Sequence, residues 1–150
     1  MESEIQHILS LLKSTFEKKA WYGPAVKEVL KDITADQASH RLNNTHSIIE
    51  LVAHMTAWRI FVVKKLEGNV DYKVSAELNF PSPSNWKAAI QNLEESQAKL
   101  IDAIQHFDDS LLHESVPNSS YGYTFFTFLH GIIHHDVYHI GQIMLLKKSK

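Results

Sequence analysis

The sequence predicts an all-α protein, a four-helix bundle with long connections. Three observations lead there. Apolar residues recur at three- and four-residue steps, the spacing that lines one face of a 3.6-residue helix. Several of these runs open on Ser or Thr followed three residues later by Gln or Glu, a helix-start signature. No stretch alternates apolar and polar residues with the two-residue period of a half-buried strand. Four amphipathic helices with one apolar face each bury those faces against one another.

In chain order, the first long helix is expected over residues 3–18. Ser3 and Gln6 fit a capping box, and Ile5, Ile8, Leu9, Leu12 and Phe16 keep helical spacing. Trp21-Tyr22-Gly23-Pro24 follows, with Pro24 suited to the first residue of a new turn and a short helix over 25–31. Thr34 and Gln37 form a second capping box and mark one further turn. Ser47 and Glu50 form a third. The second long helix starts there, carries Ile48, Leu51, Val52, Met55, Trp58, Val62 and Leu66 inward, and stops before Gly68. Residues 68–82 connect without a clear period. Ser82-Pro83 reads as N-cap and first helical residue of the third long helix. Its apolar face is Trp86, Ile90, Leu93, Leu100, Ile101, Ile104 and Phe107.

Residues 108–123 hold Pro117, Asn118, Ser119, Ser120 and Gly122, which are turn formers. Thr124 caps the fourth long helix, expected over 124–147. Its stripe reads Phe125, Phe128, Leu129, Ile132, His135, His139, Ile143 and Leu146. Lys147, Lys148 and Lys150 suit the negative end of its dipole. Gly141, costly within a helix, is expected to permit a close helix contact. The two long connections suit the rim of an active site.

Composition narrows the function. The 150 residues suit one domain, residues 1–150, with a real core. Net charge is −2 with dispersed Lys and Arg, which argues against a nucleic-acid or anionic-membrane surface. The chain has no cysteine, so thiolate ligands, a thiol nucleophile and disulfides are all excluded. Residues 1–13 lack the basic-then-apolar pattern of a signal peptide, and no apolar run nears the ~18 residues of a membrane span. A cytoplasmic address is expected.

Four of the ten histidines fall between His130 and His139. His135 and His139 stand four apart, so a helix places both imidazoles on one face, as in H-E-x-x-H sites. His54 lies in the apolar sector of the second long helix. If the two faces oppose each other, three imidazoles converge. Three neutral histidines suit Zn, Ni or Fe and leave room for water or substrate. The competing reading is that each is a hydrogen-bonded core residue. His130 and His134 point about 100° away. No paired Glu-x-x-His motif supports a di-iron site. Asp136, where the zincin motif has Glu, is the candidate catalytic base, against a supporting or surface role. Gln142, three residues after His139, can hydrogen-bond a ligating imidazole. Trp58 and Tyr138 are pocket or core residues.

These residues resemble a known family. Ser47-Ile-Ile-Glu-Leu-Val-Ala-His54 with Trp58, His135-Asp-Val-Tyr-His139-Ile-Gly-Gln-Ile143 and Ala20-Trp-Tyr-Gly-Pro24 are similar to the DinB superfamily (DinB/YfiT-like). The resemblance implies a four-helix bundle, often dimeric, with one divalent metal on three histidines, matched here by His54, His135 and His139. Relatives that are thiol-dependent transferases imply a low-molecular-weight thiol cosubstrate and a small electrophile. The leading expectation is a metal-dependent thiol S-transferase. A metal-dependent hydrolase using Asp136, and a non-catalytic, stress-linked dimeric scaffold, are the alternatives. A homodimer is expected, with Trp21, Tyr22 and Phe61 as aromatic residues that a small bundle leaves uncovered.

Overall fold

The computed structural model describes residues 3–149; Met1 of the N-terminal stretch and Lys150 of the C-terminal lysine cluster lie outside them. Among the described residues the structure is all-α, with no strand and one isolated bridge, Ser115 with Thr124. Four helices are long: α1 (Glu4–Phe16), α4 (Ile48–Leu66), α6 (Trp86–Gln105) and α7 (Phe125–Lys148). Three are short: α2 (Val26–Leu30), α3 (Ala35–Ser39) and α5 (Ala76–Asn79). A 3-10 turn, Asp109–Leu111, follows α6.

Helix starts follow local chemistry. The first amides of a helix have no partner inside it, and a nearby side chain supplies one. Ser3 Oγ accepts from Gln6 N–H at 3.4 Å, and Thr124 Oγ1 accepts from Thr127 N–H at 3.2 Å. Thr34 and Gln37 exchange bonds in both directions, at 3.0 and 3.2 Å. At α4, Glu50 Oε2 accepts from both Ser47 N–H and Ser47 Oγ–H at 2.8 Å. The helix ends where Gly68 takes φ +85°, a left-handed conformation that glycine adopts without a Cβ clash.

Four expectations are corrected. Pro24 does not open α2, which begins at Val26; Ala25 N–H is satisfied by Glu28 Oε2 at 2.9 Å, so the helix starts after the proline. Ser82-Pro83 does not open α6. Asn85 caps it, accepting from Ala88 N–H at 3.0 Å, while Ser82 Oγ–H donates to Glu50 Oε1 at 3.3 Å. Residues 68–82 contain α5, capped by Ser75 Oγ on Leu78 N–H at 3.3 Å. Gly141 makes no close helix contact: it is exposed, and an added Cβ would meet nothing within 4 Å.

Helix α4 packs against α6 and α7, and α1 packs against the same two. The core has two apolar clusters. One gathers Phe16, Val52, Met55, Leu93, Ile140 and Ile143; the other gathers Leu12, Val62, Leu100, Ile104, Leu129 and Ile132. Between them along each helix sits a polar residue: Arg59 on α4, Gln97 on α6 and Asp136 on α7. Arg59 and Asp136 are both 0% exposed. Arg59 Nη2 donates to Asp136 Oδ2 at 2.6 Å, Nε to Gln97 Oε1 at 2.9 Å and Nη1 to Met55 O at 3.2 Å. Its guanidinium lies 5.1 Å from the Phe16 ring centroid. One side chain thus joins all four long helices. Removing a single partner would strand a charge in a medium that solvates it poorly.

Candidate metal centre

The packing of α4 on α7 brings His54 against His135 and His139. His54 Nε2 lies 3.0 Å from His135 Nε2, and His139 Nε2 lies 3.0 Å from the same atom. All three ligand nitrogens fall within 4.8 Å of one another. His54 and His139 are buried and His135 is half-buried.

The far side of two rings fixes their tautomers. His54 Nδ1–H donates to the Asn79 carbonyl at 2.5 Å, and His139 Nδ1–H donates to Gln142 Oε1 at 2.6 Å. A neutral imidazole with its proton on Nδ1 carries a lone pair on Nε2. Both lone pairs therefore point at His135 Nε2, which holds at most one proton and can donate to only one of them. At least one 3.0 Å contact is then between two acceptors, an arrangement that a shared cation relieves. Nitrogens on one tetrahedral ion at ~2.0–2.1 Å stand ~3.3 Å apart, close to the two 3.0 Å separations from His135 Nε2. Three imidazole nitrogens so placed fit a metal ion.

Electrostatics keep the cluster neutral. Burial pushes His135 down to about 3, aided by the charges that His139, His54 and Arg59 would present. His139 is pushed down to about 4 by burial, against the Gln142 bond that supports its protonated form. Burial also lowers His54. Free ligand nitrogens are thus retained well below the usual imidazole range.

Around the cluster, Phe80 stacks on His54 at 4.0 Å and on His46 at 3.7 Å, so one phenyl ring lies between two imidazoles. Trp58 Nε1–H donates to Asn79 Oδ1 at 3.0 Å, and the Trp58 ring lies 6.1 Å from His135. Tyr138 is 65% exposed and meets the edge of His139 at 5.0 Å. One turn before His54 on α4, the buried Glu50 carboxylate also takes Arg41 and Ser82.

The structure brings His54, His135 and His139 together, and among the described residues no other such metal-capable group occurs. His130 instead donates Nδ1–H to Phe126 O at 2.9 Å, and His134 is exposed. Asp136 lies outside the histidine group, fully buried against Arg59. Burial pushes its carboxyl up from the usual carboxylate range, and Arg59 opposes this. Sequence reasoning missed Asn79, Phe80, Arg59 and Gln97. Asn79 and Phe80 sit in an irregular connection without periodicity. Arg59 had a signal: it interrupts the Val52, Met55, Val62, Leu66 stripe at core spacing, as Asp136 interrupts the stripe on α7.

No curated protein and no solved structure matches the chain. A family model does: that of the DinB superfamily, over residues 24–143. The match covers more than half of the chain and includes all three clustered histidines, and the chain belongs to the DinB superfamily.

Proposed function

We propose that this protein is a cytoplasmic metalloenzyme, one domain built as a four-helix bundle, that joins a low-molecular-weight thiol to a small electrophile. His54, His135 and His139 hold one divalent ion. The observation that carries this reading is the convergence of three Nε2 atoms with two of the outer nitrogens already committed as donors. Among the described residues no carboxylate joins the three histidines, so the ligand set leaves coordination positions for a small molecule. When bound, the ion would lower the pKa of a coordinating thiol and so supply a nucleophile at neutral pH.

The chain's own residues orient and shield. Asn79 and Gln142 hold two imidazoles with Nε2 inward. Phe80 and Trp58 cover the cluster and exclude water from one side. In the reaction a carbon–sulfur bond forms, a carbon–halide bond breaks, and the thiol proton and halide leave. Asp136, the candidate base of the hydrolytic reading, is assigned here to hold Arg59, because a fully buried, ion-paired carboxylate has no path to a substrate proton.

The test is direct. Metal-loaded protein is incubated with glutathione, bacillithiol or mycothiol and a haloarene. S-aryl product should form faster than with His54→Ala. No rate above that variant with any thiol contradicts the transferase reading, and a metal-dependent product without thiol indicates hydrolysis. A homodimer is also proposed. Trp21 is 100% exposed, Tyr22 41% and Leu145 71%, apolar surface that a second copy would cover. Phe61 is partly covered within the chain, edge-on to Trp58 and Phe128. Light scattering at micromolar concentration should give twice 17.2 kDa, and a monomer mass contradicts it.

A further inference from the structure

A cavity of about 340 Å³ opens between α4, where Ala53 precedes His54, α6 and the connection that contains α5. Small side chains make room for it: Ala53 and Ala57 on α4, Ala88 and Ala89 on α6. Leu78 and Pro81 close it on the side of the connection. None of the described residues lining it carries a charge; its polar groups are neutral, Thr56, Tyr72 and Asn92 among them. A larger cavity of about 680 Å³ differs on this point, since Lys64, Glu67, Lys99 and Asp102 line it.

Residues 78–81 form a wall with two faces. Leu78 and Pro81 face the cavity. Between them, Asn79 accepts from His54 through its carbonyl and from Trp58 through its side chain, and Phe80 stacks on His54. Whatever fills the cavity bears on Leu78 and Pro81, the chain neighbours of the Asn79 and Phe80 that orient His54.

We propose that this cavity binds an uncharged, mostly apolar molecule of about two fused rings, and that its occupancy is transmitted to His54 through Asn79 and Phe80. The size follows from volume. An apolar cavity of ~150 Å³ takes one benzene ring, and ligand pockets begin near ~300 Å³. The neutrality follows from the lining, which offers a charged ligand no counter-ion in exchange for its hydration. The coupling is reciprocal: a ligand that stabilises one arrangement of the wall changes His54, and any ligand of His54 changes its affinity by the same factor.

The experiment uses the metal-free full chain, so its outcome is independent of whether the histidines hold an ion. Calorimetry with 2-naphthol should give saturable binding of one molecule per chain. Ala57→Leu and Ala88→Leu, one on each helix, should each weaken it at least tenfold with unchanged circular dichroism. The charged 2-naphthoate should bind at least tenfold more weakly than 2-naphthol. At saturation the His54 ring resonances should shift while those of exposed His134 stay in place. Absence of saturable binding, equal binding of 2-naphthoate, or indifference to both leucines in folded variants overturns the site. Saturable binding with unmoved His54 resonances overturns the coupling.

Discussion

His139 shows how a single bond sets the chemistry of a ring. Its Nδ1–H is held by Gln142 Oε1 at 2.6 Å, which leaves Nε2 as the acceptor that faces His135. Replacing Gln142 with Leu removes that constraint and should weaken metal binding by ~10–100-fold without changing helical content. A chelator-competition titration checks this, and an affinity equal to wild type would count against the role given to Gln142. Proton competition belongs to the same scale. An unperturbed imidazole loses its metal as pH falls through ~6.5. Here His139 is pushed down to about 4 and His135 to about 3, so the neutral forms persist further into acid. Metal occupancy should survive at pH 5.5 and fail as pH approaches 4. Loss complete by pH 6 would contradict the burial-driven depression.

Among the elements, the link between α4 and α7 is the one to break. Arg59 and Asp136 meet at 2.6 Å with no exposure. Asp136→Leu alone leaves a buried guanidinium without its carboxylate and should cost ~3–5 kcal/mol by urea denaturation, as should Arg59→Met alone. The double variant should recover much of that loss, because two apolar side chains need no hydration. Additive losses would contradict the pairing account. Helix starts were legible at Ser3, Thr34, Ser47 and Thr124, where the capping signal is local, but not at Ser75 or Asn85, whose caps open helices that the sequence reading missed or placed elsewhere. Ser82 misled because its hydroxyl turns to Glu50, thirty-two positions back in the chain. The short helix α5 was invisible because four residues show no period, and Gly141 misled because composition does not reveal which face of a helix is covered.

In the whole molecule, the histidine cluster shapes stability against pH even without metal. The unfolded chain protonates these imidazoles near ~6.5, while the folded state resists until about 4 at His139 and about 3 at His135. Across that window the unfolded state binds more protons, so stability falls as pH falls. The contribution is complete above ~6.5. The urea midpoint of the metal-free protein should therefore drop between pH 7.5 and pH 5, and His135→Phe should flatten that drop. A midpoint that rises on acidification contradicts the sign. At this scale the sequence showed which residues could meet but not that they do: His54 and His139 stand 85 positions apart, and only the packing of α4 on α7 joins them. The same packing set Arg59 against Asp136, 77 positions apart, a pairing that the sequence reading missed because neither residue is a local neighbour of the other. The central claim is that three histidines form one ion site, and metal stoichiometry by elemental analysis after equilibrium dialysis tests it most directly. Wild type and His134→Ala should each carry one divalent ion per chain, while His54→Ala, His135→Ala and His139→Ala should each carry far less and remain helical. Equal occupancy in His134→Ala and His139→Ala, whether both full or both lost, would contradict the account.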